Sequence, residues 1–308
     1  MRVLVTGAGG FVGRAVVARM VAAGHTTVAL LHHMERAFPA GVEVRRADLT
    51  EQAAVDAAVR DVHAVCHLAA LTRVRESFAD PVRFFRVNVG GTLAVLDALA
   101  RQRELARLVF ASTGAVYGAA EVQPTSEHQP AAPTTPYAAS KYAAELAVQA
   151  LTATGRLGAV TLRAFNAAGA SAGLGDDDLT RIVPSAVAVA AGRQPVLEIN
   201  GDGSAIRDFV HVDDLADAFV LALDACQPGT HQVYNVGNLG LSVSAVVESV
   251  ERVTGRAVPV RHLSPRPEPA VVMGDSTRIR TELGWEPRRS SVDQIVSDAW
   301  HAETHLVG

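Results

Sequence analysis

The sequence predicts an α/β fold in which a doubly wound parallel sheet is accompanied by a smaller, discontinuous α/β domain. Apolar, strand-like segments alternate with segments of helical period through the first half of the 308 residues, and a glycine-rich turn follows the first strand. Such alternation indicates a parallel sheet covered by helices on both faces. Because 49% of the residues are hydrophobic, the chain can bury one large core or two modest ones.

The elements of the first half follow from the period of the apolar residues. We predict strands near 2–6, 26–31, 42–46, 62–67, 107–112 and 158–164, and helices near 11–23, 51–59, 81–103 and 137–153. Ligands of such sheets bind beyond the carboxyl ends of the strands, where the strand order reverses. We therefore expect the functional site at that edge of the sheet.

After about residue 168 the alternation gives way to a different pattern. A loop rich in Gly and Asp, from Gly169 to Asp178, precedes a helix from Thr180 and a short strand at Val196–Ile199. The segment Asp208–His211 and a helix at Asp213–Leu223 are predicted to return to the main sheet. We assign the chain to a dinucleotide-binding domain, residues 1–168 and about 207–236, and a substrate domain, about 169–206 and 237–308.

The glycine-rich turn itself predicts a dinucleotide site of the Rossmann type. It reads Gly7-Ala-Gly-Gly10-Phe-Val-Gly13 and lies between an apolar strand and a helical pattern. Glycines at these places permit a tight turn, the close approach of backbone N–H groups to a pyrophosphate, and close packing of helix on strand. A glycine loop without a ligand is the alternative, which the flanking strand and helix disfavour.

Tyr137 and Lys141 are four residues apart and predict acid/base chemistry. This spacing places both side chains on one face of a helix, where an ammonium favours the phenolate form of the tyrosine. We therefore expect the pKa of Tyr137 to be lowered, so that it can take a proton from a substrate hydroxyl. Ser112 and Thr113 end an apolar strand upstream and are expected to face the same site.

Composition excludes several classes of function. The net charge is −4 and no basic run is present, so nucleic-acid binding is not expected. No metal-ligand spacing occurs, and Cys66 and Cys226 lie in apolar contexts typical of buried thiols in a reducing compartment. The N-terminus enters a strand directly, without a signal peptide or a membrane-spanning segment. We expect a cytoplasmic protein with no membrane partner.

Ordered motifs over nearly the whole chain resemble the extended short-chain dehydrogenase/reductase family, and within it the UDP-glucose 4-epimerases. The motifs are Met1-Arg-Val-Leu-Val-Thr-Gly7, His67-Leu-Ala-Ala70, Asn88-Val-Gly-Gly-Thr-Leu93, Ser112-Thr-Gly-Ala-Val-Tyr-Gly118, Tyr137-Ala-Ala-Ser-Lys141, Leu162-Arg-Ala-Phe-Asn-Ala-Ala-Gly169, Ile206-Arg-Asp-Phe-Val-His-Val212, Tyr234-Asn-Val-Gly237 and Leu283-Gly-Trp285. The resemblance implies a sugar-nucleotide 4-epimerase with tightly bound NAD.

The same resemblance implies roles for particular residues. Thr113 would bind the 4-hydroxyl of the sugar, Tyr137 would be the acid/base, and Lys141 would hold the nicotinamide ribose. Cofactor contacts, besides Tyr137 and Lys141, are implied for Gly7, Gly10, Phe11, Val12, His32, Asp48, Leu49, Leu68, Ala69, Ala70, Asn88 and Ser112. Substrate contacts, besides Thr113, are implied for Asn166, Arg181, Ile182, Asn200, Arg207, Arg266, Glu268 and Val272.

The two residues that directly follow Thr113 favour epimerisation over elimination. The family's dehydratases carry Asp-Glu there and its decarboxylases a glutamate at the second position, whereas this chain has Gly114 and Ala115. Elimination needs a second acid/base, so hydride transfer at C4 of a UDP-hexose is expected. The alternatives are an NADP(H)-dependent reductase of keto-sugar nucleotides and, further removed, a cofactor-binding sensor without catalysis.

Departures from the family pattern leave the cofactor, the sugar and the nucleotide base open; for the base, Asn200 stands where an aromatic residue often lies against the uracil. Leu31 stands where NAD users carry an aspartate, so NADP is not excluded, and Arg14, His32, His33 or Arg36 could approach its 2′-phosphate. Val272 leaves room for an N-acetyl group, while Arg75 and Arg181 could meet a uronic acid.

A homodimer is also expected from the sequence. Two predicted helices, near 81–103 and 137–153, carry apolar stripes, and relatives pair these helices across a four-helix interface. The stripes comprise Val89, Leu93, Leu96, Leu99, Ala143, Leu146 and Ala150.

Overall fold

The structure is a computed structural model that describes residues 1–33, 35–102 and 106–305. The strands are β1 (Arg2–Thr6), β2 (Thr26–Leu31), β3 (Glu43–Arg46), β4 (Ala64–His67), β5 (Ala106–Thr113), β6 (Leu157–Ala164), β7 (Asn166–Ala168), β8 (Ala170–Ser171), β9 (Leu174–Gly175), β10 (Leu197–Asn200), β11 (Ile206–His211), β12 (His231–Val236), β13 (Leu239–Ser242), β14 (Val260–Leu263) and β15 (Val271–Val272).

The helices are α1 (Phe11–Ala22), α2 (Gln52–Val59), α3 (Val74–Ala79), α4 (Pro81–Phe85), α5 (Gly91–Ala100), α6 (Pro136–Thr152), α7 (Ile182–Ala190), α8 (Val212–Ala225), α9 (Val243–Thr254), α10 (Thr277–Leu283) and α11 (Val292–His305). Within the described residues, no helix is long and apolar enough to cross a membrane.

A parallel seven-stranded sheet organises the larger part of the fold. Its strand order is β12-β6-β5-β4-β1-β2-β3, so the chain reverses direction across the sheet between β1 and β4. The sheet is covered on both faces, because α1 and α8 pack on one side and α2, α5 and α6 on the other. This arrangement confirms the predicted doubly wound α/β fold.

A second core lies in the C-terminal half. Helices α7, α9 and α11 pack together around buried apolar residues that include Val187, Val250 and Val296. Two small sheets flank this core, one formed by β10 and β14 and the other by β7, β11, β13 and β15. The second sheet carries several of the residues with implied roles.

The prediction that Asp208–His211 returns to the main sheet is wrong for the strand. β11 pairs with β7, β13 and β15, whereas α8 packs on α1 and it is β12 that lies beside β6. In this position the buried carboxylate of Asp208 accepts hydrogen bonds from the backbone N–H groups of Asn238, Leu239 and Gly274. These contacts satisfy a polar group that would be costly to bury without partners.

The single helix predicted over 81–103 is divided. α4 begins at Pro81, with Asp80 accepting a hydrogen bond from the Arg83 N–H as its cap, and a π-helical turn at Arg86–Gly90 separates it from α5. The predicted end at Arg103 lies outside the described residues. π-Turns occur frequently at functional sites, and this one carries the buried Asn88.

Candidate active site

The glycine turn, the loop after β4, the end of β5 and the start of α6 share one edge of the sheet. This convergence follows from the parallel strands, whose carboxyl ends all lie on the same side. The turn at Gly7–Gly10 follows β1, Leu68–Ala70 follow β4, Thr113 ends β5, and Tyr137 occupies the second position of α6.

The glycine turn is shaped for close approach by a ligand. A Cβ at Gly7 would lie 2.7 Å from the Ala69 nitrogen, and Gly7 has a φ of +67° that side chains rarely adopt. A Cβ at Gly13 would lie 2.1 Å from the Gly7 carbonyl oxygen, so α1 packs directly on the turn. Gly10 is exposed at the start of α1, where backbone N–H groups and the helix dipole attract anions. These features fit the pyrophosphate of a dinucleotide.

Thr6, which the sequence interpretation missed, fixes the loop after β4. Its hydroxyl oxygen accepts hydrogen bonds from the N–H groups of Leu68 and Ala69, both at 3.1 Å, and bonds to Nδ1 of His67 at 2.7 Å. His67 bonds through Nε2 to the Thr92 hydroxyl at 3.1 Å. Burial lowers the pKa of His67 to about 3, so its imidazole is neutral and contributes hydrogen bonds only.

The start of α6 positions Tyr137. Thr135 caps the helix by accepting a hydrogen bond from the Ala138 N–H at 3.1 Å, and Pro136 occupies the first helical position. The Tyr137 ring meets Phe84 edge to face, with ring centroids 6.5 Å apart. The neighbouring Thr113 side chain acts to lower the pKa of Tyr137, so the residues with implied acid/base and sugar-binding roles lie together.

The expectation that Lys141 lowers the pKa of Tyr137 is wrong for the protein alone. Burial raises the pKa of Tyr137, while the hydrogen bond with Thr113 and the positive charge of Arg181 act in the opposite direction. The ammonium of Lys141 instead lies 4.3 Å from the centre of the Phe110 ring. Burial lowers the pKa of Lys141 to about 8, an effect that the Glu145 carboxylate opposes.

Lys141 is the only lysine of the chain, in which the other 27 of the 28 Lys and Arg residues are arginines. Its side chain is 4% exposed. An arginine cannot replace it simply, since guanidinium is larger and does not deprotonate near neutral pH. The single lysine among 27 arginines therefore indicates a special role for this position, and the sequence interpretation did not use this indication.

A buried ion pair beneath the site was also missed. Glu145, one turn after Lys141, accepts a hydrogen bond from the Ser112 hydroxyl and forms an ion pair with Arg163, with Nη2 and Oε2 2.7 Å apart. Arg163 also donates to the Tyr117 hydroxyl at 2.8 Å. The Ser112 hydroxyl, expected to contact the cofactor, is therefore engaged with protein.

Asn88, likewise expected to contact the cofactor, uses its side-chain amide within the protein. Its carbonyl oxygen accepts from the Leu71 N–H at 2.8 Å, and its amide group donates to the Leu71 carbonyl and to the Ser140 hydroxyl. Because Ser140 belongs to α6, Asn88 ties the segment after β4 to the helix that carries Tyr137. Its role in the structure is to fix the position of this helix relative to the loop after β4.

The adenosine end of the expected cofactor site is formed by the ends of β2 and β3. His32 is exposed, with Nε2 3.2 Å from the Asp48 carboxylate, and Leu49 is buried against Gly91. Phe11 and Val12 are half-buried in the first turn of α1 and pack against its core.

On the substrate side, Phe165 fills the space beside Gly114. A Cβ at Gly114 would lie 2.6 Å from this ring, and a Cβ at Gly274 would lie 2.2 Å from it on the other side. An aspartate at position 114 would therefore displace Phe165. The packing of Phe165 leaves no space for an acidic side chain at position 114. The lack of this second acid supports hydride transfer without elimination.

Arg207 and Glu268 are brought together although they lie on different segments. Their side chains form an ion pair at 3.1 Å, and Arg207 also donates to the carbonyls of Ile206 and Pro269. Val272 is paired with Arg207 in the parallel ladder of β11 and β15. Three of the implied substrate residues thus form one group.

The remaining implied substrate residues are more dispersed. Asn166 is exposed and donates to the Asp208 carbonyl at 2.7 Å, so its position is fixed by β11. Asn200 lies on the separate sheet of β10 and β14, and Arg266 is exposed. Ile182 is half-buried at the start of α7.

Arg181, at the N-cap of α7, belongs to a chain of charges at the mouth of the site. It pairs with the buried Asp176 carboxylate at 2.7 Å and lies 3.8 Å from Asp178, which in turn lies 3.9 Å from Arg73. Burial raises the pKa of Asp176, an effect that Arg181 opposes. The loop after β4 and the loop before α7 are linked by these contacts.

Comparisons with known proteins identify the family of this chain. Residues 3–237 match the NAD dependent epimerase/dehydratase family. A UDP-glucose 4-epimerase from Streptomyces lividans is 39% identical over 96% of this chain and 94% of that protein. A crystal structure of UDP-glucose-4-epimerase from Stenotrophomonas maltophila, with bound NAD and formylated UDP-arabinopyranose, is 30% identical and covers 100% of this chain and 99% of that one, with a TM-score of 0.93.

A second solved structure is similar over the same length. The UDP-glucose 4-epimerase from Bifidobacterium longum, in complex with NAD+ and UDP, has a TM-score of 0.92 at 26% identity and covers 99% of this chain and 98% of that one. Family match, sequence identity and fold agree over essentially the whole chain. The chain belongs to the NAD dependent epimerase/dehydratase family.

Proposed function

We propose that this chain is an NAD-dependent sugar-nucleotide 4-epimerase that inverts C4 of a UDP-hexose. The observation that carries the proposal is the juxtaposition of Tyr137 and Thr113 at the carboxyl edge of the sheet, where the glycine turn leaves the start of α1 exposed. The relatives named UDP-glucose 4-epimerase, two of which were solved with NAD, support the reaction and the cofactor. The sugar is glucose, its N-acetylamino analogue or a uronic acid.

Tyr137 moves the proton of the C4 hydroxyl, and Thr113 bridges between the phenol and the sugar. When bound, the oxidised nicotinamide supplies a positive charge and a hydride acceptor that later returns the hydride. A positive charge near the phenol favours the phenolate, which burial disfavours in the protein alone. In this proposal Lys141 holds the nicotinamide ribose.

The substrate anchors must hold while the hexose turns. Epimerisation requires the sugar to present its opposite face after the first transfer, so the nucleotide must stay bound throughout. Arg207, braced by Glu268, and Asn166, braced by the Asp208 carbonyl, are proposed to hold the diphosphate. Binding energy from the nucleotide thereby retains the 4-keto sugar.

The division into domains is part of the proposal. Residues 1–168 with about 212–236 would bind the dinucleotide, and about 169–211 with 237–308 would bind the sugar nucleotide. The strand β11 is moved to the second part because it pairs with β13 and β15. The separate core of α7, α9 and α11 supports this division. The two buried, free cysteines, Cys66 and Cys226, support a reducing compartment such as the cytoplasm.

We also propose a homodimer that pairs α5 and α6 with their copies. Large apolar side chains are exposed on α3, α4, α5 and α6, which contact one another; these are Val74, Phe78, Val82, Phe85, Leu93 and Leu146. Exposed apolar patches mark interaction sites, so we assign this group of helices to the interface. Leu96 and Leu99 of the predicted stripe are buried in the chain's own core. Sedimentation equilibrium should give a dimer at micromolar concentration and a monomer for Leu93→Glu with Leu146→Glu.

The test of the proposed function is an assay without added cofactor. The purified protein should interconvert the C4 epimers of UDP-glucose, UDP-N-acetylglucosamine or UDP-glucuronate. Tyr137→Phe should lose about 10²- to 10⁴-fold in kcat, whereas the matched control Tyr142→Phe, on the same helix, should retain activity. Stoichiometric consumption of NADPH with a keto sugar, or full activity in Tyr137→Phe, would refute the proposal.

A further inference from the structure

The adenosine end of the dinucleotide site lacks the carboxylate that usually selects NAD. In Rossmann-type sites an acid about 20 residues beyond the glycine motif binds the ribose 2′-hydroxyl and repels a 2′-phosphate. Here that position, the end of β2, is Leu31, whose side chain is 4% exposed and packs into the apolar core. It cannot discriminate against a phosphate.

The acids that follow β2 and β3 are already engaged. The carboxylate of Asp48 accepts hydrogen bonds from the backbone N–H and the hydroxyl of Thr50, at 2.9 and 2.8 Å, through Oδ1, and it faces His32 through Oδ2. Glu35 is paired with Arg46 at 3.1 Å. Both carboxylates therefore already have partners within the protein.

Basic side chains surround the same end of the site. Arg36 reaches from the loop after β2 to the glycine turn, where its Nε lies 3.4 Å from the Gly9 carbonyl oxygen. His32 and His33 are exposed directly after β2, with ring centroids 3.4 Å apart. Arg14, in the first turns of α1, is close enough to Arg36 for the two charges to interact. A phosphate monoester carries about two negative charges at neutral pH.

We propose that this chain carries a subsite for a 2′-phosphate on the adenosine ribose, formed by Arg36 with His32 and His33, and therefore binds NADP as well as NAD. The inference rests on the dinucleotide site of the proposed function and extends it to a second cofactor. Arg36 would supply charge-assisted hydrogen bonds to the phosphate, and the histidines would line its outer side. Epimerisation consumes no reducing equivalents, so either dinucleotide can serve the same transfer.

Native mass spectrometry of the purified holoprotein tests the subsite. The protein is incubated with equal excesses of NAD and NADP, and the two bound masses are compared after exchange. NADP should account for at least about a quarter of the occupied protein, because no acid opposes it. Occupancy by NADP below about 1% would overturn the inference, since it would show strong selection for NAD without the acid.

A surface variant separates the subsite from the rest of the dinucleotide site. Arg36 is exposed, so Arg36→Glu should fold, and it should shift the bound ratio toward NAD by at least about tenfold, the effect of losing one charged hydrogen bond. Arg101→Glu is the matched control, because Arg101 caps the C-terminal end of α5, which leads to the amino end of β5 and not to the carboxyl ends of the strands where the site lies. It should leave the ratio unchanged.

The outcomes distinguish the inference from the proposed function. Epimerase activity with NAD alone bound leaves the proposed function intact and overturns the 2′-phosphate subsite. An unchanged ratio in Arg36→Glu overturns the assigned residues. Protein that binds neither dinucleotide refutes both.

Discussion

The carboxylate of Glu145 accepts a hydrogen bond from the Ser112 hydroxyl, so α6 and β5 are joined one residue before Thr113. The same carboxylate pairs with the buried Arg163. This contact sets the distance between the helix that carries Tyr137 and the strand that carries Thr113. The proposed reacting pair is therefore supported by a buried ion pair that joins α6 to the neighbouring strand β6.

Replacing Glu145 should disturb both stability and chemistry. Glu145→Gln keeps the shape but leaves the guanidinium of Arg163 buried without a counter-charge, which should cost about 3 kcal/mol of unfolding free energy. Urea denaturation and the kcat of epimerisation measure the two effects. Combining it with Arg163→Met should recover part of the stability, because no charge is then left unpaired. Wild-type stability in the single variant would contradict the assignment.

Adding a methyl group at Gly114 should loosen the substrate pocket. The new Cβ would lie 2.6 Å from the Phe165 ring, so Gly114→Ala should lose about 1 to 3 kcal/mol by overpacking and raise KM for the sugar nucleotide. Thermal unfolding and steady-state kinetics check this. Gly90→Ala is the control, since a Cβ there meets no atom within 4 Å. If Phe165→Leu failed to relieve the Gly114→Ala defect, the packing account would be wrong.

The buried Lys141 should destabilise the folded protein near neutral pH, although the proposed reaction requires it. Burial lowers its pKa from 10.5 to about 8, so the protonated form is disfavoured in the folded protein. This cost is fully present below pH 8 and is relieved as the pH rises toward 10.5, where the unfolded chain also loses the proton. Lys141→Met should therefore gain about 1 to 3 kcal/mol at pH 7 and much less at pH 10.

Two measurements check the behaviour of Lys141. Urea denaturation at pH 7 and pH 10 compares the stabilities, and epimerase assays should show that the stabilised variant is inactive. Because the chain has one lysine, NMR of protein labelled with ¹⁵N-lysine should give a single side-chain signal that titrates near pH 8 in the cofactor-free protein. Titration near 10.5 would contradict the effect of burial.

Arg207 should act mainly through substrate binding. Arg207→Ala removes the proposed diphosphate anchor and its ion pair with Glu268, so KM for the sugar nucleotide should rise at least about tenfold with a smaller change in kcat. Steady-state kinetics measure the two constants separately. Arg261→Ala, which removes a charge from the exposed strand β14, should change neither. A fall in kcat alone would argue against an anchoring role.

Much of the larger sheet was predictable because its signals are local. The alternation of apolar strands with helical segments identifies the parallel sheet, and the glycine spacing identifies the turn after β1. The break between α4 and α5 was not predictable, because the apolar period continues through it. It depends on Asn88 bonding to Leu71, a contact 17 residues apart.

Contacts between distant segments also limited the interpretation of the site. The hydroxyl of Ser112 and the amide of Asn88 have the chemistry of ligand contacts, yet both are engaged by protein groups. The four-residue spacing predicted correctly that Tyr137 and Lys141 lie on one helix. It could not show that the Lys141 ammonium packs over the Phe110 ring. The environment of each group, rather than its spacing, sets its pKa.

The packing of α8 on α1 bears on how the chain matures during synthesis. The apolar face of α1, with Val16, Val17 and Met20, shares its core with Ala216 and Phe219, which the ribosome adds some two hundred residues later. Until then that face has only part of its native cover, which the early strands β1 and β2 provide. A nascent chain stalled before α8 should therefore be a preferred client of chaperones, although its glycine turn and first strands are already complete.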